Sequence, residues 1–441
     1  MCNTLYAGFC RADITPTVPV GLRGYGNDNR RLHERVRDPI FVTCIALRQA
    51  EETVLLFTLD SCVCMPELLE DAIFEATGIP KDKHFYGATH CHNGPNYSDY
   101  VQGSQEAKAI LLKQAAFAAK AAIADLSPAI LSHNAAKIEK MNFVRHYTLN
   151  TGEIADTGLS NYPKDAFVGY PVEADKTMAV VKFSREGKKD ILLVNWGAHP
   201  DHSGMLDPEK PREENFKSIS ADFPGALRNK LMADTGAEVA YFTGASGNTT
   251  PFTRIIAHRT GLNMTQYGEK LAEHALQILA DAKPVSEPAM ASRQETIVVE
   301  IDHTLDHMVD KAEEVYALFQ QTDLATSRPL ANSYGMQSAY EARAIMNRAA
   351  MEQTLDMRAG VLRIGDLCFI NHTYEMFSDI GIYLRENAPF ANTFIIAGNN
   401  SYVCSRYAYG FGAYEAVTSW YKKGTAEKLA EHYVDMLKEF Q

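Results

Sequence analysis

Short runs of β-branched or alternating apolar residues recur along the chain, and they predict twelve strands. The predicted strands cover residues 5–14, 40–49, 52–59, 83–89, 128–137, 177–184, 190–197, 237–243, 295–302, 359–364, 367–371 and 393–397. Several of them follow one another with no room for a helix, as 40–49 and 52–59 do. This succession favours mixed, largely antiparallel sheets over a parallel sheet in which strands and helices alternate.

Helical spacing between these runs predicts helices that flank the sheets. An Ala-rich stretch over 104–126 is apolar on most faces and is expected to be buried. Another helix is predicted over 262–283, and Ser338 with Glu341 forms a capping box before a helix over 339–355. A terminal helix places five residues on one apolar stripe: Leu429, Tyr433, Met436, Leu437 and Phe440. Together the elements predict an α/β fold of the α+β type.

Composition and charge narrow the range of functions. The chain has 441 residues, 46% of them hydrophobic, and a formal net charge of −12, which argues against a nucleic-acid partner. No apolar run reaches the ~20 residues of a transmembrane helix, and no signal-peptide pattern opens the chain. Eight scattered cysteines predict reduced thiols and a cytoplasmic protein. We expect one domain over 1–441 and find no internal repeat in the sequence. The polar stretch around 284–294 is the best candidate for a domain boundary. The oligomeric state stays open.

Two predicted strands end in histidines. His90 and His92 follow the strand 83–89 and, two residues apart, would face the same side of an extended chain. His199 follows a second apolar strand, and His202 comes three residues later. Each histidine alone fits a surface turn or a buried structural imidazole as well as a metal ligand. Two such strand ends together favour a metal site, because zinc takes three or four ligands and binds imidazole readily.

Three further segments follow strands and give weaker signals. Glu375 lies after the strand 367–371, at the predicted head of a helix whose N-terminus would stabilise its carboxylate. A glutamate in a first helical turn is more often a solvated charge. Tyr402 follows the strand 393–397, and composition alone indicates an aromatic residue of a loop or of the core. The glycine-rich segment 244–251 is not a P-loop, but its backbone N–H groups can cradle an oxyanion.

Taken in order, segments spread over nearly the whole chain resemble the N-terminal catalytic domain of the neutral/alkaline ceramidase family. They include Ala-Gly-Phe-Cys-Arg-Ala-Asp-Ile-Thr-Pro at 7–16, Gly-Tyr-Gly at 24–26, Asp-Pro at 38–39, Ala-Thr-His-Cys-His-Asn-Gly-Pro at 88–95, Asn-Trp-Gly-Ala-His-Pro at 195–200, Ser-Ala-Asp-Phe-Pro-Gly at 220–225, the 244–251 loop and the segments around Glu375 and Tyr402. The resemblance implies the fold of that domain, in a short bacterial-type member without the C-terminal immunoglobulin-like domain.

The resemblance also implies a set of site residues and a cofactor. It implies one Zn²⁺ held by four side chains: His90, His199, Glu375 and Tyr402. It implies that His92, beside the metal, assists proton transfer or stabilises an oxyanion, and that Arg145 contacts the substrate. Tyr414 is one of several later tyrosines that can reach the site.

The sequence departs from the family pattern at the 244–251 loop. Thr250 stands where the family has a serine, and Asn248 stands where it has an aspartate. Before Glu375, Thr373 and Tyr374 replace the usual Pro-Gly. We expect Thr250 to contact the oxyanion or the substrate, and zinc-activated water to cleave an amide-type bond. The substrate is expected to be a small N-acyl or ester molecule, smaller or more polar than membrane ceramide.

Two alternatives compete with this interpretation. A TIM-barrel amidohydrolase also has a His-x-His motif after a strand, but there strands and helices alternate regularly. A catalytically degenerate member that only binds a ligand is supported by the altered loop over 247–251, whereas the presence of all four candidate ligands speaks against it.

Overall fold

The computed structural model describes residues 4–25, 31–156, 164–201, 216–253, 255–398 and 400–441. Each of the twelve predicted strands overlaps an observed strand, and these twelve, with the short strand Lys283–Pro284, build two main sheets. The predicted fold class, with mixed, largely antiparallel sheets flanked by helices, is confirmed. Within the described ranges neither sheet closes into a barrel, so the TIM-barrel alternative is wrong.

The larger sheet, called here the large sheet, has nine strands. In spatial order eight of them are Glu238–Thr243, Ile191–Trp196, Thr177–Arg185, Ser127–Lys137, Leu5–Asp13, Phe41–Gln49, Glu52–Leu59 and His84–Ala88, and Lys283–Pro284 pairs with Ser127–Lys137. Only the two outermost pairings are parallel, and the others are antiparallel.

The second main sheet, called here the small sheet, has four strands, in the order Met290–Glu300, Thr354–Ile364, Leu367–His372 and Asn392–Ala397. Shorter strands pair outside both sheets: Arg35–Val36 with Ser218–Ile219, Phe143–Val144 with Thr249–Thr250, Glu375–Met376 with Tyr402–Val403, and His146–Leu149 with both Ile154–Asp156 and Phe167–Gly169. The sequence analysis did not predict these short strands, because two to four residues carry no measurable periodicity.

One four-strand unit occurs three times in the fold. In each unit the first three strands pair antiparallel, a helix follows the third strand, and the fourth strand returns parallel to the third. Two units form the large sheet and the third forms the small sheet. The pattern of strand pairing therefore repeats three times, although the sequence shows no internal repeat.

Helices cover the outer faces of the two sheets: Pro66–Thr77, Ser104–Ala124, Asp222–Thr235, Met264–Ala280, Ser378–Asn387, Arg406–Gly410, Tyr414–Thr418 and Thr425–Lys438. Three further helices, Val309–Gln321, Leu324–Ser333 and Ala339–Ala349, pack on one another in an apolar cluster of their own. Between the sheets lies an apolar cluster to which both contribute, with Phe242 of the large sheet and Phe369 of the small sheet both packed on Phe394. The layers therefore run helix, large sheet, small sheet, helix.

Two helix predictions need correction. The helix Ser104–Ala124 buries a single stripe, and Phe117 on its other side is 56% exposed, because only one of its faces packs on the large sheet. Ser338 precedes the helix Ala339–Ala349 but makes no side-chain cap, whereas Glu341 accepts a hydrogen bond from the Gln337 N–H at 2.6 Å. The terminal helix buries its predicted stripe, with Phe440 partly buried just beyond its end.

Buried asparagines join the two sheets. Asn195, in the large sheet, donates to the Ile395 carbonyl of the small sheet at 2.7 Å and accepts from the Ile395 N–H at 3.1 Å. Asn371, in the small sheet, bonds to both backbone groups of Tyr86 in the large sheet at 3.1 and 2.7 Å. These bonds fix the strand ends of one sheet relative to those of the other.

Among the described helices, none combines the length and the apolar character that a membrane span requires. The described cysteines carry thiols, and most of them are buried. The chain passes from the large sheet to the small sheet between Lys283–Pro284 and Met290–Glu300, which is where the polar stretch of 284–294 lies. A single domain over 1–441 stays a prediction.

Candidate metal centre

The ends of the parallel strands in all three units meet at one place, between the two sheets and a group of loops. Parallel neighbours end at the same sheet edge, and the crevice beyond such ends is where open sheets bind ligands. The histidines His90 and His199 come from the large sheet, while Glu375 and Tyr402 come from the small sheet. His202, Asn399 and Gly26 lie outside the described residues.

Two imidazoles face each other across the site. The His90 Nδ1 lies 2.6 Å from the Cys62 carbonyl oxygen, and the His199 Nδ1 lies 2.9 Å from the Ser246 carbonyl oxygen. Because a carbonyl only accepts, both Nδ1 atoms carry the proton and both Nε2 atoms present a lone pair. Those two Nε2 atoms are 3.0 Å apart. Burial lowers the pKa of both imidazoles, which keeps them neutral.

The geometry of His90 differs from the prediction. The strand ends at Ala88, and His90 has a φ of 65°, so alternation along an extended strand does not place His90 and His92 together. A turn does, and their Nε2 atoms are 3.3 Å apart. The left-handed backbone aims the His90 side chain at the strand ends of the other units.

Glu375 lies in the short strand Glu375–Met376 and not in a first helical turn, since the helix begins at Ser378. No helix N-terminus stabilises its carboxylate as predicted, and burial raises its pKa to about 8. Its Oε2 lies 3.5 Å from the Nε2 of both His90 and His199 and has no hydrogen-bond partner. Tyr402 is its parallel strand partner and lines the same cavity.

These residues fit a divalent cation. Two imidazole lone pairs 3.0 Å apart repel each other, and a buried carboxylate oxygen without a partner is costly, unless a positive ion lies between them. Donor atoms of His90, His199 and Glu375 all lie within 4.8 Å of one another. Imidazole nitrogen with carboxylate and phenol oxygen suits zinc and similar ions.

A second group of possible ligands, formed by His146, Asp156 and Glu415, is already satisfied by the protein. The Glu415 carboxylate accepts from Arg145 Nε and from His146 Nε2, and Asp156 accepts from the Tyr414 N–H at 2.7 Å. Nothing in this group requires a cation.

Arg145 lies behind Tyr402 and is held in place by several groups. Its Nη2 donates to the Tyr402 hydroxyl at 3.0 Å and to the Gly247 carbonyl at 2.8 Å, while its Nε is paired with Glu415. Arg145 is not among the described residues that line the cavity over the centre. This geometry orients Tyr402, whereas the contact of Arg145 with substrate stays a prediction.

Thr250 lies in the short strand Thr249–Thr250, with Phe143 as its pairing partner, and is not among the described residues that line the cavity. Within the loop, the N–H groups of Gly247 and Thr249 donate to protein carbonyls at 2.8 and 2.9 Å. These N–H groups therefore do not form the predicted oxyanion cradle. The role of Thr250 stays a prediction.

Asn248 has a structural role in this chain. Its amide donates to the Tyr407 hydroxyl at 2.9 Å, and its Oδ1 accepts from the Ser378 N–H, at the start of a helix, at 2.8 Å. An aspartate could not make the first of these bonds as a donor. The residues around Asn248 therefore satisfy an asparagine at this position, so the departure from the family pattern does not by itself indicate a loss of catalytic function.

The cavity over the centre has a volume of about 250 Å³. His90, His92, Glu375, Tyr402 and Tyr414 line it. Other lining residues were not singled out by the sequence analysis: Arg23, Asn96, Tyr340, Arg343, Asn347 and Trp420. Tyr340, Arg343 and Asn347 share one helix at spacings of three and four residues, while Arg23 and Asn96 directly adjoin the quoted segments 24–26 and 88–95.

With the fold and the centre described, comparison with known proteins defines the class: this chain has the fold of a neutral ceramidase-like catalytic domain. The crystal structure of neutral ceramidase from Pseudomonas aeruginosa matches with a TM-score of 0.71 over 99% of this chain and 74% of that chain, at 15% identity. A ceramidase complexed with C2 matches with a TM-score of 0.69, over 99% and 75%, at 15% identity. Neither protein-family models nor curated proteins gave a match to the sequence.

Proposed function

We propose that this protein is a zinc-dependent hydrolase that cleaves an amide-type, N-acyl bond. The observation that carries the proposal is the meeting of two imidazole lone pairs with an unpartnered buried carboxylate oxygen. The likeness to ceramidase structures supports the choice of an amide bond. His90, His199, Glu375 and Tyr402 would hold the ion, which supplies a Lewis acid that activates water and polarises the scissile carbonyl.

The chain's own residues would bind and orient the reactants. Burial lowers the pKa of His92 and keeps its imidazole neutral, so that it can accept a proton from water and return it to the leaving amine. Its Nδ1 has no hydrogen-bond partner, and its Nε2 faces His90. Arg145 would hold the Tyr402 hydroxyl towards the centre. Contact with substrate by Thr250 or Arg145 belongs to the proposal and not to the observed geometry.

The cavity supports a substrate smaller or more polar than membrane ceramide. Its volume of about 250 Å³ is below the ~300–1,000 Å³ of sites for drug-sized ligands. Arginine, asparagine and tyrosine side chains make up much of its lining. A long acyl chain would have to lie outside it.

Elemental analysis of the purified protein beside His199→Ala tests the proposal. The parent should hold about one zinc per chain, and the variant should lose both zinc and turnover because a ligand is gone. His432→Ala, a change on an exposed part of the terminal helix, is the matched control and should keep both. A parent without zinc after reconstitution, or a His199→Ala variant with full turnover, would show that the proposal is wrong.

A further inference from the structure

The cavity over the metal centre has a cationic lining. Arg23 and Arg343 contribute guanidinium groups, whereas Glu375, already assigned to the metal, is the one carboxylate among the described residues that line it. Asn96 and Asn347 add amide groups. In a chain of net charge −12 this lining is a local reversal of sign. A cleft lined by one sign of charge concentrates ligands of the opposite sign.

Arg23 differs from Arg145 and Arg228 because, among the described residues, no carboxylate pairs with its guanidinium. Arg145 is paired with Glu415, and Arg228 is paired with Asp60 through bonds of 2.7 and 2.6 Å. In the part of the chain that the structure describes, the guanidinium of Arg23 makes no hydrogen bond and no ion pair. An arginine left in this state beside a cavity is available to a ligand.

The backbone around Arg23 is fixed against the centre. Its N–H donates to the Gly94 carbonyl at 3.0 Å, and its own carbonyl accepts from Arg31 at 3.0 Å. The next residue, Gly24, has a φ of 123° and packs so closely on His92 that an added Cβ would lie 2.5 Å from the His92 Cβ. The side chain of Arg23 therefore extends from a fixed backbone segment that packs against His92, the residue proposed to transfer the proton.

We propose that Arg23 forms an anion-binding subsite, and that the substrates are small amides that carry a carboxylate, such as N-acyl amino acids. This inference rests on the proposed hydrolase function. A guanidinium offers paired N–H donors that match the two oxygens of a carboxylate. The cavity of about 250 Å³ has room for such a molecule beside the metal ligands but not for a long chain. Arg343 is less suited, because it already donates to the Tyr100 hydroxyl at 3.0 Å.

Two pairs of substrates that differ in charge test the subsite. N-acetylglycine is compared with N-acetylglycinamide, and N-methylsuccinamic acid with its primary amide, so that the carboxylate is on the amine part in one pair and on the acyl part in the other. In at least one pair the parent should prefer the anion by about tenfold or more in kcat/KM, as expected for a charge-assisted hydrogen bond.

Variants link that preference to Arg23. Arg23→Gln should abolish it while changing kcat/KM for the neutral amides by less than about threefold, and Arg23→Lys should keep part of it. Arg293→Gln, which removes the same charge from an exposed strand position, should leave it unchanged. Equal turnover of charged and neutral substrates by the parent would overturn the subsite and leave the hydrolase proposal intact.

A binding measurement separates the subsite from catalysis. In 4-oxopentanoate a methylene replaces the N–H of N-acetylglycine, so the molecule cannot be hydrolysed. Calorimetry with the zinc-loaded and the zinc-free protein should show it binding about tenfold tighter than 4-oxopentanamide, with the difference lost in Arg23→Gln. If this difference is found but no amide is cleaved, the hydrolase proposal fails and the subsite stands. If both molecules bind equally, the subsite is wrong.

Discussion

Glu415 balances the charge of the residues behind the candidate metal centre. It is buried, yet it accepts from Arg145 and, at 2.9 Å, from His146, whose Nδ1 lies 2.8 Å from the Tyr407 hydroxyl. Burial acts to raise the pKa of Glu415, but Arg145 and His146 outweigh that effect and lower it to about 2. The charge of Arg145 therefore remains balanced while its other nitrogens orient Tyr402.

This balance makes a prediction about pH. The pKa of Glu415 is lower in the folded protein than its ordinary value of 4.5, so the unfolded chain binds more protons between these values and stability falls as pH falls. The parent and Glu415→Gln should differ in their free energy of unfolding, and this difference should shrink by roughly 1 kcal/mol from pH 7 to pH 4 and by about 2 kcal/mol by pH 3. Urea unfolding at each pH measures it, with the exposed Glu386→Gln as control; a constant difference would contradict the assignment.

At the residue scale, prediction from the sequence succeeded best where a residue able to bind a metal directly follows a predicted strand. His90 and His199 follow strongly apolar strands, and reasoning from the residues selects them. Glu375 gave only a weak signal, as a carboxylate at a predicted helix head, and Tyr402 gave none; both became candidate ligands through the resemblance to a family, because little in their segments distinguishes them from a surface charge and a core aromatic. Arg23 and Glu415 gave no signal, since their roles depend on residues far away in the sequence, such as His92 for Arg23 and Arg145 for Glu415.

Between elements, Asn195 is the clearest connection of the large sheet to the small sheet. Besides Ile395, it donates to the Phe242 carbonyl at 3.0 Å. Asn195→Ala would leave these buried backbone groups without partners, each at a cost of about 1–3 kcal/mol. We expect the free energy of unfolding to fall by roughly 3 kcal/mol in denaturant titrations.

The matched control for Asn195 is Asn387→Ala, at the exposed end of a helix, which should change stability by less than about 0.5 kcal/mol. A loss in Asn195→Ala no larger than in the control would mean that the hydrogen bonds of Asn195 do not help to hold the sheets together. The distinction matters for the site, because the same strand leads directly to His199.

The main strands were predictable because their apolar runs are long enough to show a period. Their pairing was predictable only where two strands follow each other directly, as Thr354–Ile364 and Leu367–His372 do. By contrast, the parallel pair Glu375–Met376 and Tyr402–Val403 is only two residues deep and is set by tertiary contacts. It is this pair that brings two candidate ligands together, so the centre depends on the elements that a sequence reveals least.

For the molecule as a whole, the proposed metal joins layers that are also held by packing, by buried amides and by ion pairs such as Arg385 with Asp175 and Arg358 with Glu70. His90 and His199 follow strands of the large sheet, and Glu375 and Tyr402 follow strands of the small sheet. An ion bound only by the folded chain stabilises it, by about 4 kcal/mol when its concentration is a thousand times Kd.

We expect zinc at that concentration to raise Tm by about 4 °C in scanning calorimetry, given about 2.1 cal per mol per kelvin of unfolding entropy for each residue. A chelator should reverse the rise, and His199→Ala should show none because the site is incomplete. An equal rise in that variant would mean that zinc stabilises the protein from another place.

The three four-strand units also bear on how such a protein can change over generations. Each segment that reaches the centre is positioned by the strand that precedes it. In two units one segment carries a histidine and the neighbouring segment supplies the carbonyl that orients it: Cys62 for His90, and Ser246 for His199. A substitution at one strand end therefore leaves the others in place. Lineages built on this frame can exchange residues around the cavity one at a time and so acquire new substrates, while the ligands stay where they are.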